Sequence, residues 1–81
     1  MRLKRQEFNK YGIYLEDRFL VQETENKKLV VPYYHIRTLE YRNNKIVLYT
    51  GGVERIVIEL PPEVCEQLYE ELLVHIERVY L

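Results

Sequence analysis

Leu60-Pro61-Pro62-Glu63-Val64-Cys65-Glu66-Gln67-Leu68-Tyr69-Glu70-Glu71-Leu72-Leu73-Val74-His75-Ile76-Glu77-Arg78-Val79-Tyr80-Leu81 is the stretch that decides the fold. Proline locks φ near the helical value and has no N–H to donate, so Pro61 and Pro62 suit a first helical turn. Glu63 and Glu66 sit beside the positive end of the helix dipole. No Gly or Pro follows. At about 100° per residue, Val64, Cys65, Leu68, Tyr69, Leu72, Leu73, His75, Ile76, Val79 and Tyr80 share one face. Glu66, Gln67, Glu70, Glu71, Glu77 and Arg78 share the other. The spacing predicts one amphipathic helix over 62–80. Its apolar arc covers about half the circumference, wider than the ~100° stripe a core usually takes. That leaves room for a second partner. Val74 lies in the middle of the polar side, where it is read as a stray exposed Val or as a contact with another chain.

Everything before this helix reads as short strands that need a cover. Tyr11-Gly12-Ile13-Tyr14-Leu15 alternates, and Arg18 to Glu23 follows after Glu16-Asp17. The two form an antiparallel hairpin, and without an Asn-Gly turn its connection is expected to carry a bulge or run slightly longer. Leu29-Val30-Val31 is a short strand that Pro32 keeps from being a regular central one. In Ile36 to Arg42, Leu39 and Tyr41 fall on the opposite side from Ile36, so a bulge or bend is expected near Arg37. Asn43-Asn44 and Gly51-Gly52 are turn signals. Between them runs Ile46 to Thr50. Val53 to Leu60 closes the sheet, with Ile56, Ile58 and Leu60 on one side and Arg55, Val57 and Glu59 on the other. About six strands in a meander and then a helix give an α+β architecture: an antiparallel bent sheet, or a small β-barrel, capped by the helix.

Length and composition bound the rest. A chain of 81 residues with 47% hydrophobic content is one domain near the lower size limit. Residues 1–10, with Arg2, Lys4, Arg5 and Lys10 against Glu7 alone, form a basic N-terminal arm. Residues 11–81 form the domain, and Phe8 is placed to tuck back against it. The formal net charge is −1, which creates no field steering the chain to nucleic acid or membrane. The one cysteine, Cys65, falls on the buried helix face and is read as an inert thiol in a reducing, cytoplasmic protein. No signal peptide and no membrane span are read from the sequence.

The run from Leu29-Val30-Val31-Pro32 to Ile36, then Leu39-Glu40-Tyr41, Asn43-Asn44-Lys45, Ile46 to Tyr49, Gly51-Gly52, Ile56 to Leu60 and a terminal helix resembles the small bacterial pleckstrin-homology-like domains. The resemblance covers Tyr11 to Tyr80 and rests on element order and spacing. It implies a bent barrel plugged at one end by the helix. It also implies a binding role, towards proteins, peptides or lipid headgroups, without catalysis. Lipid-binding members place basic residues between their first two strands. Here that loop is Glu16-Asp17-Arg18, acidic on balance, so lipid recognition is not carried over. The chain is shorter than that family usually needs, so one strand is expected to be missing or fused.

Candidate chemistry is sparse. The chain contains no serine, one Cys and two His. These supply neither a serine nucleophile nor a zinc ligand set. His75, on the helix, is read as a packed, hydrogen-bonded histidine, and His35 as a surface loop residue. No cofactor is expected. Eight tyrosines are the oddest feature. Tyr suits sheet surfaces, and it also suits interfaces, because it buries much area and keeps a polar tip. Tyr14, Val47, Tyr49, Arg55 and Val57 are placed on the sheet face away from the helix. With Leu73 and Val74 on the helix, Tyr14, Tyr49, Arg55 and Val57 make up the candidate interaction surface. The expected function is a small cytoplasmic interaction or adaptor module working through protein–protein contacts, with self-association included. The alternative is a nucleic-acid-binding regulator using the basic arm with Arg37, Arg42, Lys45 and Arg55.

Overall fold

The computed structural model describes residues 5–52 and 55–80. Its elements run α1 (Arg5–Asn9), β1 (Ile13–Leu15), β2 (Phe19–Glu23), β3 (Lys28–Pro32), a 3-10 turn (Tyr33–His35), β4 (Thr38–Arg42), β5 (Lys45–Tyr49), β6 (Arg55–Glu59) and α2 (Pro62–Tyr80). The strands form two antiparallel sheets of three, in the orders β1-β2-β3 and β4-β5-β6. The fold is α+β. The bent-sheet expectation holds, and the barrel does not close.

The break between the sheets follows from Pro32 and the residues after it. Pro32 cannot donate to a continuing ladder, and the 3-10 turn Tyr33–His35 redirects the chain. The ladder resumes only where the Arg37 N–H donates to the Tyr49 carbonyl at 2.7 Å. The expected bend near Arg37 thus begins a few residues earlier. The first hairpin is tighter than its sequence suggested. Leu15 faces Leu20, and the Glu16 N–H donates to the Phe19 carbonyl at 2.9 Å. Only Asp17 and Arg18 are left at the tip, with no bulge. Asn43 holds φ at 54°, the left-handed conformation that the Asn43-Asn44 turn signal anticipated.

Alternation assigns the faces. Ile13, Leu15, Leu20 and Val31 of the first sheet are buried, as are Ile46, Leu48 and Ile58 of the second. Against them lies the seam of α2 made by Cys65, Leu68, Leu72 and His75, all buried. Fully burying one Leu is worth about 1.5–3 kcal/mol, whereas an exposed ion pair is worth about 0–1 kcal/mol. The seam therefore outweighs the four described ion pairs, all of them exposed at the surface. Phe8 of α1 is 1% exposed and joins the same core. Arg2 and Lys4 of the basic arm lie outside the described residues.

The largest buried side chain is one the sequence did not single out. Tyr33 is fully buried. Its hydroxyl donates to the Glu16 carbonyl at 2.7 Å, and its N–H donates to the Arg18 carbonyl at 3.0 Å. Its ring lies 5.1 Å from that of His75. The turn that joins the sheets is thereby tied to the first hairpin and to α2. Gly12 answers a different constraint. Its φ is 78°, and a Cβ there would collide with the Glu23 carbonyl oxygen.

Tyr33→Phe should lose about 1 kcal/mol of stability. Tyr33→Ala should lose about 3–5 kcal/mol. Gly12→Ala should lose at least about 1–2 kcal/mol from its left-handed backbone alone. Denaturant unfolding monitored by circular dichroism measures all three. A Tyr33→Phe midpoint equal to wild type would deny the hydroxyl its structural part.

Candidate interaction face

The outer face of the second sheet is built by register. Thr38, Glu40 and Arg42 of β4 face Tyr49, Val47 and Lys45 of β5. Those three in turn face Arg55, Val57 and Glu59 of β6. Side chains alternate along a strand, so these nine lie opposite the core. All of them but Thr38 and Glu59 line an open depression of about 210 Å³. Val47 and Val57, directly paired, form its apolar floor. Tyr49 and Arg55 stand at one end, Arg42 and Lys45 at the other.

The polar groups of this face are unequally satisfied. The Glu40 carboxylate takes the Arg42 guanidinium at 2.9 Å on one oxygen and the Tyr49 hydroxyl at 3.4 Å on the other. Lys45 pairs with Glu59 at 3.2 Å. Arg55 makes no ion pair among the described residues. One edge of the face is fixed from behind, where the Gln22 amide donates to the Val57 carbonyl at 3.2 Å and links the two sheets.

The six candidate residues do not form one surface. Tyr49, Arg55 and Val57 come together here. Tyr14 lies on the outer face of the first sheet, where its hydroxyl donates to Glu23 at 3.3 Å. Leu73 is 44% exposed on α2, and Val74 is half-buried. Among the nucleic-acid candidates, Arg42 and Lys45 carry carboxylate partners on this face, while Arg37 lies beside Gly51. The sequence reading missed a second apolar face. On the outside of the first sheet Tyr14, Val21 and Val30 form a cross-strand row, with Phe19 paired to Pro32 beside it. Val30 is 56% exposed. The period-two alternation of 19–23 and 28–32 was enough to find it.

His75 is 3% exposed, and its Nδ1 lies 2.7 Å from the Glu71 carbonyl. A carbonyl only accepts, so Nδ1 carries the proton. His35 is exposed and meets Tyr34 edge-on at 4.3 Å. Tyr41 stacks on Tyr69 at 4.9 Å. Burial pushes the Cys65 thiol above its ordinary range. Among the described residues no group of three or more His, Cys, Asp or Glu could hold a metal ion, and no helix is long and apolar enough to cross a membrane. No protein-family model, curated protein or solved structure matches this chain.

The raised Cys65 pKa favours the thiol in the folded state, so the fold binds that proton more tightly than the open chain. The resulting stability is present below the unfolded pKa of about 8.5 and is lost as pH rises from there through the folded value. The guanidinium midpoint should therefore fall with rising pH in that window, and less so in Cys65→Ala. Native Cys65 should react with a disulfide reagent only as fast as the protein opens. Rapid stoichiometric labelling of the folded chain would contradict its burial.

Proposed function

We propose that this chain is a small, non-enzymatic interaction module that works through protein–protein contacts made by the outer face of its second sheet. The observation that carries the reading is the pairing of an apolar floor, Val47 and Val57, with Tyr49 and an Arg55 that has no carboxylate partner among the described residues. Tyr and Arg beside a desolvatable apolar centre are the side chains that carry most binding energy at protein interfaces. Two antiparallel meanders followed by a terminal helix support the likeness to pleckstrin-homology-like domains in element order. A buried, unpaired Cys65 supports a reducing, cytoplasmic setting. The formal net charge of −1 favours a protein over a phosphate backbone as occupant, since no overall positive field draws nucleic acid to the chain.

The test is a photo-reactive p-benzoylphenylalanine in place of Val57, which is 40% exposed, irradiated in the purified chain and in cell extract. The expected result is an adduct to protein, weakened when Arg55→Glu is combined with it. Adducts that nuclease removes would replace this reading with the nucleic-acid one. No adduct in either setting would end it.

A further inference from the structure

The face just described has a complement elsewhere on the same molecule. The depression is lined by three cations, Arg42, Lys45 and Arg55, against Glu40, and with Glu59 beside Lys45 on the same face the balance stays positive by one. The exposed side of α2 has the opposite balance. The helix contains five glutamates and one arginine, and Glu63, Glu66, Glu70 and Glu77 are exposed. At about 100° per residue Glu66, Glu70, Leu73 and Glu77 fall in one narrow stripe. Leu73 is the exposed apolar group within that stripe.

The spacing agrees as well as the charge. Glu70 and Glu77 are seven residues apart, about 10 Å along a helix axis. Tyr49, paired to Arg55, and Lys45, paired to Arg42, are four residues apart, about 13 Å along a strand. Val47 and Val57 lie between those cationic ends, as Leu73 lies between those glutamates. Long Glu, Arg and Lys side chains absorb the difference.

We propose that the outer face of the second sheet receives α2 of a second copy of this chain, with Leu73 on the Val47–Val57 floor and the flanking glutamates on Arg55 and on Arg42 or Lys45. The proposal rests on the protein-contact reading above and names its partner. The contact is head-to-tail, because each copy offers its helix to one neighbour and its strand face to another. A helix-to-helix dimer would set the glutamates of one α2 against those of the other, and that repulsion favours the strand face instead. The pairs Arg42–Glu40 and Lys45–Glu59 are exposed and individually weak, so their cations are free to exchange partners. The patch is small against a standard interface of about 800 Å² per partner, so the association is weak and concentration-dependent.

A mixing experiment tests this. Leu73→Glu spoils the helix and keeps the strand face, while Val57→Glu spoils the strand face and keeps the helix. Both positions are exposed, and each variant should keep the wild-type circular dichroism spectrum. In sedimentation velocity the wild-type chain should exceed its single-chain mass of 9.9 kDa as concentration rises. The excess should shrink when salt is raised well past the roughly 0.1 M at which the screening length is about 10 Å. Each variant alone should stay at the single-chain mass, and their equimolar mixture should form a two-chain species. Arg55→Glu, which leaves the floor intact, should replace Val57→Glu in every arm. Three results would overturn the proposal: wild-type chain that stays single at every concentration, association that survives Val57→Glu and Arg55→Glu, or a mixture that does not pair. Any of these alongside a Val57 photo-adduct to another protein would leave the contact reading standing and remove only the second copy as its occupant.

Discussion

The burial of Tyr33 is the contact on which the other parts depend. Its N–H and hydroxyl both reach the turn of the first hairpin, at Arg18 and Glu16. Its ring meets His75 near the end of α2. A buried phenol needs a partner for its hydroxyl, and the Glu16 carbonyl supplies one. The turn it belongs to joins the two sheets, so its position sets how the second sheet approaches the first. The Gln22–Val57 bond across the sheets then holds that approach.

With the inner faces committed to one core, only the outer ones are left open to contact, and these differ in character. The first sheet shows an apolar row, Tyr14-Val21-Val30. The second shows cations around two valines, and α2 shows acids around a leucine. A chain with a formal net charge of −1 thus separates its charges onto opposing surfaces. Net charge, being a sum, hides this, which is why composition alone pointed to no partner. The proposed contact between two such surfaces would be steered and salt-sensitive, with little buried area.

Much of this was legible in the chain. The helix bounds followed from Pro61-Pro62 and an uninterrupted 3.6-residue period. The Asn43 turn followed from a residue type that tolerates positive φ. The faces of β6 followed from strict alternation, and alternation also put Tyr49, Arg55 and Val57 on one side of the sheet. The tight first hairpin and the open barrel were not legible. Asp17-Arg18 carries no turn signature strong enough to exclude a longer loop. Barrel closure depends on how two sheet edges meet in space, and no local pattern records that.

What the sequence determined by itself was the order of the six strands and α2, their inner and outer sides, and the sparse chemistry of a chain with no serine and a single cysteine, whereas α1 (Arg5–Asn9) reads in sequence only as a basic arm. Each is a property of neighbours within a few residues, where periodicity and backbone preference act. The tertiary structure decided that the meander splits into two sheets and that Tyr33 belongs in the core. It also decided that Tyr14 lies on a different sheet from Tyr49 and Arg55. These outcomes depend on the direction the chain takes after Pro32, a bend of three residues whose geometry is set by the whole core packing against it.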